Sequence, residues 1–365
     1  MNNSKVLIIN DSHFGFKNSS QAIFDYQYEF LHKTLFPYCK RHNISQILHL
    51  GDLFDNRKYI TVKTLNFVRI NFLEELRKRN IKMDIIPGNH DVLFNNTNGL
   101  CSLVEILSAY SDIVSLYMKP TIVKYNTIKV GLVPWITKDN QDECYEFIEK
   151  AKCDILAGHF EIAGFKYIAN SSIKSHGIST KIFERYDHVL SGHYHTKSQR
   201  ENITYLGTQF QFNWGDVEDR KFFHVLDTTS REIAPVENRR KIFSRLFYDD
   251  SKYKTIEDIV KANHIRNLEK KTANRYVRII VQKKTDYFLF DQLLKQINDF
   301  NPHHLSIVEN YTLPDITSEE EEALIEDTGE LIDSYIDDIE TDLDKDRLKK
   351  LMHELYAEAC VLETV

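Results

Sequence analysis

The sequence has few cysteines and no long apolar run, and both absences narrow its class. Its 365 residues include five scattered cysteines and no Cys-x-x-Cys pair, so nothing points to a thiolate metal or redox motif. The first apolar stretch, Val6 to Ile9, is too short for a signal peptide or a membrane-spanning helix. Hydrophobic residues make up 42% and charged residues 28%, which is ordinary globular usage. We therefore expect a soluble, cytoplasmic protein with reduced cysteines and more than one domain.

The net charge of −7 is the sum of a positively charged first part of the chain and a negatively charged last part. From Asp315 to Val365 there are 18 acidic and 4 basic residues, a net charge of −14. The preceding 314 residues contain 43 basic and 36 acidic residues and thus carry +7. A positive body suits a polyanionic substrate, although a slightly basic surface without such a partner fits the same number.

Short β-rich apolar runs alternate with helical patterns from Lys5 to about Asp227. Residues 26–41 and 61–79 have apolar side chains at spacings of three and four, which predicts amphipathic helices. This alternation is typical of strands connected by helices. A smaller α/β segment follows a basic run at 238–241, with a strand predicted at 275–282 and a helix at 288–300. The strands predicted in the first part are 6–9, 47–50, 83–86, 128–135, 154–157, 188–190, 203–206 and 222–226.

Side chains typical of metal ligands come directly after five of these predicted strands. Open α/β sheets bind their ligands at the carboxyl ends of the strands. Asp-x-His and His-x-His put two side chains on the same side of an extended segment, where each pair can bind one ion or two adjacent ions. One such fragment is more often an ordinary loop than a ligand, but five in this order are hard to explain by structure alone. The loops are Asp11-Ser12-His13, Gly51-Asp52-Leu53-Phe54-Asp55, Gly88-Asn89-His90-Asp91, Gly158-His159 and Gly192-His193-Tyr194-His195.

The order of these motifs resembles that of the calcineurin-like metallophosphoesterases over residues 5 to about 227. Within that superfamily the chain resembles nuclease subunits of the SbcCD type, which work with an SMC-like ATPase, and in particular those of T-even-like phages. The resemblance implies an α/β fold in which a β-sandwich is flanked by helices. Supporting details are Asn56-Arg57-Lys58, Pro134-Trp135, Ser175-His176-Gly177 and Gly207-Thr208.

The resemblance implies two divalent metal ions. Carboxylate, imidazole and amide oxygen suit manganese, magnesium or iron, and we expect manganese, with magnesium as the alternative. Two ions about 3.5 to 4 Å apart can hold a scissile phosphate, lower the pKa of a bound water and neutralise charge at the reacting phosphorus. By resemblance, Asp11, His13 and His195 bind one ion, Asn89, His159 and His193 bind the other, and Asp52 bridges both.

His90 has no place among the metal ligands in this scheme. In the family it lies beside the phosphate and donates a proton or a hydrogen bond towards the leaving oxygen. Asp91 either orients the His90 ring or has a role in its loop. Many cellular relatives have a second histidine where this chain has Asp55, which puts any step that uses that histidine in doubt. His49, His188 and His224 are interpreted as core or surface residues. His176 lies in a predicted loop near the site, where it either contacts the substrate or has only a structural role.

We predict three parts of the chain: a nuclease domain at 1–237, a capping domain that shapes DNA access at 238–314, and an acidic helical segment at 315–365. Two apolar stripes in the last segment predict amphipathic helices that dock an SbcC-type ATPase. A disordered acidic tail or packing on the capping domain are the alternatives. The family also implies a homodimer within a heterotetramer, and the host cytoplasm if the source is a phage. The stripes are Leu331, Ile332, Tyr335, Ile336, Ile339 and Leu343, and Leu348, Leu351, Met352, Leu355, Tyr356 and Ala359.

The predicted function is that of a DNA exonuclease and endonuclease subunit in recombination, repair and replication. A protein phosphatase uses the same metal core, but such enzymes follow the bridging aspartate with Asp-Arg-Gly, whereas Asp55 precedes Asn56-Arg57 here. A non-catalytic adaptor is the other alternative, and the seven filled ligand positions oppose it. Basic residues of the capping domain either contact DNA phosphates or form a solvated face. They are Arg239, Arg240, Lys241, Lys270, Lys271, Arg275 and Lys283.

Overall fold

The computed structural model describes residues 4–94, 97–165 and 177–309, and residues 336, 345, 347–349, 351 and 352. The chain divides into two compact units, Met1–Tyr311 and Thr312–Val365. The three-part division at residues 237 and 314 stays a prediction. His176 and most apolar positions of the two tail stripes lie outside the described residues. The described tail residues Ile336, Lys345, Arg347, Leu348, Lys349, Leu351 and Met352 are helical.

The described part of the first unit contains two six-stranded sheets, a three-stranded sheet and a hairpin. The strands are β1 Lys5–Ile9, β2 Gln46–His49, β3 Lys82–Ile85, β4 Val92–Phe94, β5 Thr97–Cys101, β6 Val114–Leu116, β7 Thr121–Tyr125, β8 Ile128–Val133, β9 Ile155–Gly158, β10 His188–Ser191, β11 Ser198–Arg200, β12 Ile203–Tyr205, β13 Lys221–Asp227, β14 Ile233–Asn238, β15 Phe243–Asp249, β16 Tyr276–Lys283 and β17 His304–Glu309.

The two large sheets each have a parallel centre. The strand order is β14-β13-β1-β2-β3-β6 in the first sheet and β11-β12-β10-β9-β8-β7 in the second. Strands β1, β2, β3 and β6 run parallel to one another, as do β8, β9, β10 and β12. Parallel neighbours end at the same edge of a sheet. The loops after β1, β2 and β3 therefore leave one edge of the first sheet, and those after β9 and β10 leave one edge of the second.

The central strands are buried on both faces, and alternate side chains enter different cores. Ile8 lies in a cluster with Ala157 of the second sheet, whereas Leu7 belongs to the cluster on the opposite face of the first sheet. Leu156 likewise packs on the outer face of the second sheet. This period of two shows that the sheets stack face to face with a further core outside each. It also explains why the strands have nearly continuous apolar sequences.

Helices cover the outer faces of the two sheets. Ile23, Phe72 and Leu103 pack against the first sheet, and Cys144 and Ile148 pack against the second. Two π-helical turns, Leu31–Leu35 and Arg69–Leu73, join α1 to α2 and α3 to α4. The helices are α1 Gln21–Phe30, α2 Phe36–Arg41, α3 Val62–Val68, α4 Glu74–Lys78, α5 Ser102–Leu107, α6 Gln141–Lys150, α7 Ile256–Ala262, α8 Leu268–Thr272 and α9 Tyr287–Asp299.

The three-stranded sheet is parallel throughout, in the order β15-β16-β17. One face packs on α7, α8 and α9 through a core that includes Leu246, Ile279 and Leu293. On the other face Phe243 stacks on Tyr276 with ring centroids 5.4 Å apart. The sheet thereby reaches the segment after β1, because Lys17 Nζ lies 5.5 Å and 5.2 Å from these two rings.

The predicted α/β class with a helix-flanked β-sandwich is confirmed. Each predicted strand overlaps an observed one, with ends shifted by at most two residues. Eight observed strands were not predicted: β4, β5, β6, β7, β11, β14, β15 and β17. Strands β4, β6 and β11 have only three residues, and β7 and β14 are largely exposed or half-buried. The four described cysteines are free thiols. Among the described residues, no helix is both long and apolar enough to cross a membrane.

Candidate metal centre

Five loops bring the predicted ligand side chains to one place. They follow β1, β2 and β3 of the first sheet and β9 and β10 of the second. Ligand atoms lie within 4.8 Å of one another in three overlapping groups. Because the groups share members, they form one cluster. The groups are Asp11, His13 and His195; Asp11, Asp52 and His159; and His13, Asp52 and His90.

Four of the predicted ligands have backbone conformations that residues other than glycine rarely adopt. The φ angles of Asp11, His13, Asp52 and His193 are 47°, 43°, 56° and 82°. Left-handed backbone of this kind costs about 1 to 3 kcal/mol per residue and persists only where the surrounding structure fixes it. The predicted ligands thus account for four of the fifteen described non-glycine residues with a positive φ.

The loops pack so closely that two positions exclude a side chain. A Cβ atom at Gly51, whose φ is +89°, would lie 2.6 Å from Nδ1 of His159 and 2.7 Å from Cα of Gly88. A Cβ atom at Gly88 would overlap the carboxylate of Asp52. These glycines let the loop after β2 contact the loops after β3 and β9.

The second half-site, which we define as Asn89, His159 and His193, has closely spaced ligand atoms. Asn89 Oδ1 lies 3.0 Å from Nε2 of His159 and 3.0 Å from Nδ1 of His193. Asp52 Oδ2 lies 3.3 Å from Nε2 of His159. Adjacent ligands of an octahedral cation with bonds of about 2.1 Å are about 3 Å apart, so these separations fit a small divalent ion.

The first half-site, which we define as Asp11, His13 and His195, is more open. The Nε2 atoms of His13 and His195 are 3.2 Å apart. Nε2 of His13 lies 3.9 Å from Asp11 Oδ1 and 3.8 Å from Asp52 Oδ2. The same oxygen of Asp52 therefore faces an imidazole of each half-site.

The chemistry of these atoms tests whether a cation fits. Asn89 Oδ1 faces imidazole nitrogens and a carboxylate oxygen, with Asp52 Oδ2 at 3.2 Å. Exchanging Oδ1 and Nδ2 would let the amide donate to these atoms, whereas an inward oxygen needs a positive charge among them. Carboxylate, imidazole and amide oxygen without thiolate form a donor set for divalent ions such as manganese and magnesium. The cluster thus suits divalent metal binding.

Hydrogen bonds from outside the cluster hold the predicted ligands in place. His159 Nδ1 donates to the carbonyl oxygen of Leu50 at 2.7 Å, which leaves the lone pair of Nε2 facing the cluster. The Asp11 carboxylate accepts from the backbone N–H of His193 at 3.1 Å. The buried Lys221 donates from Nζ to the carbonyl oxygen of His195 at 3.1 Å. Such contacts fix the orientation and the tautomer of the ligands.

Asp91 connects the loop after β3 to the loop after β2 by hydrogen bonds, and it does not orient the His90 ring. Its carboxylate accepts from the backbone N–H groups of Asp52 at 2.8 Å, Leu53 at 3.1 Å and Gly88 at 2.9 Å. Burial and the charge of Asp52 raise the pKa of Asp91 to about 7. Of the two roles that the sequence left open, the structure therefore favours the loop role.

His90 lies beside the cluster on the same loop. Its Nδ1 donates to the carbonyl oxygen of Asp55, and its backbone N–H donates to Asp52 Oδ1 at 2.8 Å. Burial lowers the pKa of His90, although Asp52 acts in the opposite direction. The His90 and His13 ring centroids are 4.7 Å apart. His90 also belongs to one of the three groups of potential ligands, with His13 and Asp52.

Burial and mutual charge shift the pKa values within the cluster. Burial lowers the pKa of His159, but the carboxylates of Asp52 and Asp11 outweigh it and raise that pKa to about 9. Burial and the charge of His13 hold the pKa of His195 well below its usual range. Burial raises the pKa of Asp52, yet the surrounding imidazoles hold it well below its usual range. A metal ion must therefore compete with a proton for His159, whereas the lowered pKa values of His195 and Asp52 leave those ligands unprotonated near neutral pH.

Two aromatic rings cover the cluster, one at each half-site. Phe212 lies 5.2 Å from the His13 ring and 5.6 Å from the His195 ring. Trp135 lies 5.8 Å from His159 and 5.2 Å from His193. Trp135 belongs to the Pro134-Trp135 motif, which supports the family resemblance. Phe212 lies in no motif, so the sequence did not indicate its contact with the cluster.

His49 is a core residue, as interpreted from the sequence, but it also supports the metal loop. It is fully buried at the end of β2, and its Nε2 lies 2.9 Å from the hydroxyl of Ser12, between the ligands Asp11 and His13. Burial lowers the pKa of His49 to about 3, so the ring is neutral. Its position inside an apolar strand gave no signal of this contact. Of the other two histidines, His188 is exposed and His224 is buried.

Comparison with known proteins agrees with this arrangement. The family model described as calcineurin-like phosphoesterase matches residues 4–197. The chain is similar to "Exonuclease subunit 1" of Enterobacteria phage T4, with 29% identity over 358 residues, 97% of this chain and 99% of that protein. This relative confirms the resemblance to phage nuclease subunits.

Two solved structures have lower similarity. A novel archaeal phosphodiesterase has 12% identity and a TM-score of 0.33, covering 64% of this chain and 99% of its own. Pseudomonas putida nuclease MPE has 14% identity and a TM-score of 0.27, covering 65% and 93%. The family match includes all five loops of the cluster. The chain belongs to the calcineurin-like phosphoesterases.

Proposed function

We propose that this chain is a metal-dependent DNA nuclease that hydrolyses phosphodiester bonds with two divalent cations. We expect these cations to be manganese. The observation that carries the proposal is the position of Asp52, whose Oδ2 faces an imidazole of each half-site. Similarity along 97% of the chain to a phage exonuclease subunit supports DNA as the substrate. One ion is assigned to Asp11, His13 and His195, the other to Asn89, His159 and His193, and Asp52 is assigned to both.

The residues around the ions have distinct tasks in this proposal. Two cations held by these residues would supply positive charge for the scissile phosphate and would lower the pKa of a water molecule near it. His90 is held at Nδ1 by the Asp55 carbonyl, which leaves Nε2 to donate to the leaving oxygen once the ring is protonated, a state that Asp52 favours and burial opposes. Phe212 and Trp135 limit the access of bulk water to the two half-sites.

Two assays test the proposal. Manganese-dependent hydrolysis of bis(p-nitrophenyl) phosphate by the full chain separates an enzyme from an adaptor. Linear duplex DNA compared with phosphopeptides separates a nuclease from a protein phosphatase. We expect DNA to be cut and phosphopeptides to stay intact. Rapid dephosphorylation of peptides without DNA cutting would contradict the proposal.

The third sheet is proposed to border the DNA path. Two of its seven basic candidates are tethered: Arg240 Nη1 lies 2.6 Å from Glu29 Oε2, and Lys241 Nζ donates to the Val217 carbonyl at 2.8 Å. Arg239 is 88% exposed, and its Nε lies 3.6 Å from Oε2 of Glu237. The candidates that remain for phosphate contacts are Arg239, Lys270, Lys271, Arg275 and Lys283.

The acidic segment 315–365 is proposed to dock an SMC-like ATPase of the SbcC type, with the nuclease as a homodimer. The relative is named as a subunit, which supports a partner. Leu351 and Met352 are 52% and 37% exposed, as apolar side chains of a docking helix are. The cytoplasmic location stays a prediction.

Truncation after Pro314 tests the docking role. We expect manganese-dependent cutting of short or single-stranded DNA to be retained, and co-purification with the ATPase and ATP-stimulated cutting of duplex ends to be lost. Unchanged ATPase affinity of the truncated chain by calorimetry would contradict the docking role. In that case the segment belongs to the fold or to another partner.

A further inference from the structure

The ammonium group of Lys221 is buried beside the first half-site. Its side chain is 2% exposed, and Nζ lies 2.5 Å from Oδ1 of Asp216 and 2.9 Å from Oδ2 of Asp219. Nζ also donates to the carbonyl oxygen of His195 at 3.1 Å. These three acceptors match the three N–H donors of an ammonium group. Since a buried charge must be paired, the two carboxylates determine where Nζ lies and hence where it holds His195.

Asp216 also holds the ring that covers the first half-site. Its Oδ2 accepts from the backbone N–H of Phe212 at 2.7 Å. The Phe212 ring in turn contacts the rings of His13 and His195. A single carboxylate therefore supports this half-site twice, through the backbone of Phe212 and through Lys221.

Gln211 connects Asp216 to the three-stranded sheet. It is buried, and its Nε2 donates to the carbonyl oxygen of Asp216 at 2.8 Å. Its Oε1 accepts from the backbone N–H groups of Ile242 at 3.0 Å and Phe243 at 3.2 Å, where β15 begins. All three partners are backbone groups, so the Gln211 side chain sets the distance between the start of β15 and Asp216.

Further contacts join the neighbouring residues to the same sheet. Arg245 of β15 donates from Nη2 to the carbonyl oxygen of Trp214 at 3.2 Å. The guanidinium of Arg278, which belongs to β16, lies 4.0 Å from a ring centroid of Trp214. Residues 211–217, which we call the connecting segment, therefore contact both the three-stranded sheet and the first half-site.

We propose that Lys221 is a positioning residue that couples manganese binding at the first half-site to the position of the three-stranded sheet. A movement of β15 shifts the connecting segment and with it Asp216, and the buried ion pair passes this shift to Lys221 and the His195 carbonyl. Coupling free energies are reciprocal, so an ion at the first half-site should also hold β15 in place. The coupling rests on the proposed function, because it needs the ion assigned to His195.

Calorimetric titration of the full chain with manganese tests the coupling at each half-site separately. His159→Ala is the background that reports the first half-site, and His195→Ala is the background that reports the second. In the first background we expect Lys221→Met to lower manganese affinity about 10- to 100-fold, as removal of a group that orients a metal ligand does. In the second we expect a change of less than about twofold, because the Leu50 carbonyl orients the His159 ring.

The sign of this change separates positioning from charge. Removal of a nearby positive charge would by itself strengthen the binding of a cation, so weaker binding reports the lost support of His195. Arg220→Met is the matched control, because it removes a positive charge at the adjacent position, where the side chain is 68% exposed and pairs with Glu237. It should change either affinity less than about twofold.

Gln211→Met tests the link to the sheet and leaves the ion pair of Lys221 in place. From the lost hydrogen bonds we expect at least about threefold weaker manganese binding at the first half-site, which decides the case even if Lys221→Met fails to fold. The double variant should bind no more than about twofold more weakly than Lys221→Met alone, because both residues act through one connection. Losses that add in full would overturn the coupling.

Hydrogen exchange tests the reciprocal effect without turnover. The backbone N–H groups of Ile242 and Phe243 should exchange more slowly in the manganese-loaded wild-type chain than in the metal-free chain, and this slowing should be absent in Gln211→Met. A merely structural role of Lys221 predicts no such dependence on metal. Equal exchange rates with and without manganese would overturn the coupling.

The outcomes separate the coupling from the proposed function. Manganese affinity at the first half-site that is unchanged or higher in Lys221→Met, or that falls equally at both half-sites, would overturn the coupling. If the affinity depends on Lys221 as expected but the wild-type chain cuts no DNA, the coupling stands and the nuclease proposal fails. If the wild-type chain cuts DNA and the affinity is independent of Lys221, the coupling fails and the nuclease proposal stands.

Discussion

The two half-sites use the same kinds of side chain but differ in how closely they are assembled. In the second half-site the separations between ligand atoms are 3.0 to 3.3 Å, whereas in the first they reach 3.9 Å. The second half-site draws its ligands from three different loops, with the His159 ring held by the Leu50 carbonyl. The first relies on Asp11 and His13 of one loop and on the His-x-His loop.

The closer spacing indicates that the loops of the second half-site are already positioned for metal binding when the chain has folded. A preformed site has less conformational freedom to lose on binding, and therefore binds more tightly. We infer that the second half-site takes the first ion and that the first half-site completes the pair. Asp52 is common to both and should matter most.

Replacement of the shared carboxylate should have the largest effect. Asp52→Asn removes the one negative charge that offsets both cations, so we expect weaker metal binding at both half-sites and loss of nuclease activity. Activity above about a tenth of wild type with manganese would contradict a shared ligand. Asp84→Asn is the control, because it neutralises a buried carboxylate of β3 that is bound by Tyr117 and Tyr125 outside the cluster. It should keep both ions.

Replacement of the proposed proton donor should affect chemistry more than binding at either half-site. Positioned proton donors contribute about 10²- to 10⁴-fold, so His90→Ala should slow DNA hydrolysis by that order. Elemental analysis should find manganese near the wild-type level. A loss of one ion would instead make His90 a ligand.

Removal of one imidazole from each half-site sharpens the comparison. We expect His195→Ala to lose the weaker ion and keep the tighter one, and His159→Ala to do the opposite. Manganese titration by calorimetry should therefore give at least about tenfold tighter binding in His195→Ala than in His159→Ala. Equal affinities would show that the closer spacing of the second half-site has no energetic consequence.

The smallest predicted effect is the pH dependence of the second half-site. The carboxylates raise the pKa of His159 to about 9, so below that pH an ion must displace a proton from the ring. Manganese affinity in His195→Ala should therefore increase with pH, by up to about tenfold per pH unit between about pH 6.5 and 8.5. An affinity that is flat or falls over this range would contradict the proton competition.

The strand ends and their ligand loops could be predicted because both signals are local. Strands such as β1 and β9 are buried on both faces, which produces short apolar runs, and the ligands follow these runs directly. The pairing of strands into two sheets depends on contacts between residues distant in sequence, as between β1 and β13.

The contacts around the ligands could not be predicted for the same reason. Phe212, Lys221 and Leu50 meet the ligands only through the tertiary fold. The left-handed backbone at Asp11 and His13 also gave no signal, because aspartate and histidine adopt it more readily than most residues do.

The manganese content of the loaded wild-type chain tests the central claim most directly. Elemental analysis should find two ions per chain, and electron paramagnetic resonance should detect them as a magnetically coupled pair, because ions that share a carboxylate lie about 3.5 to 4 Å apart. Asp52→Asn should lose the coupled signal. One ion per chain, or two ions without coupling, would contradict a metal pair shared through Asp52.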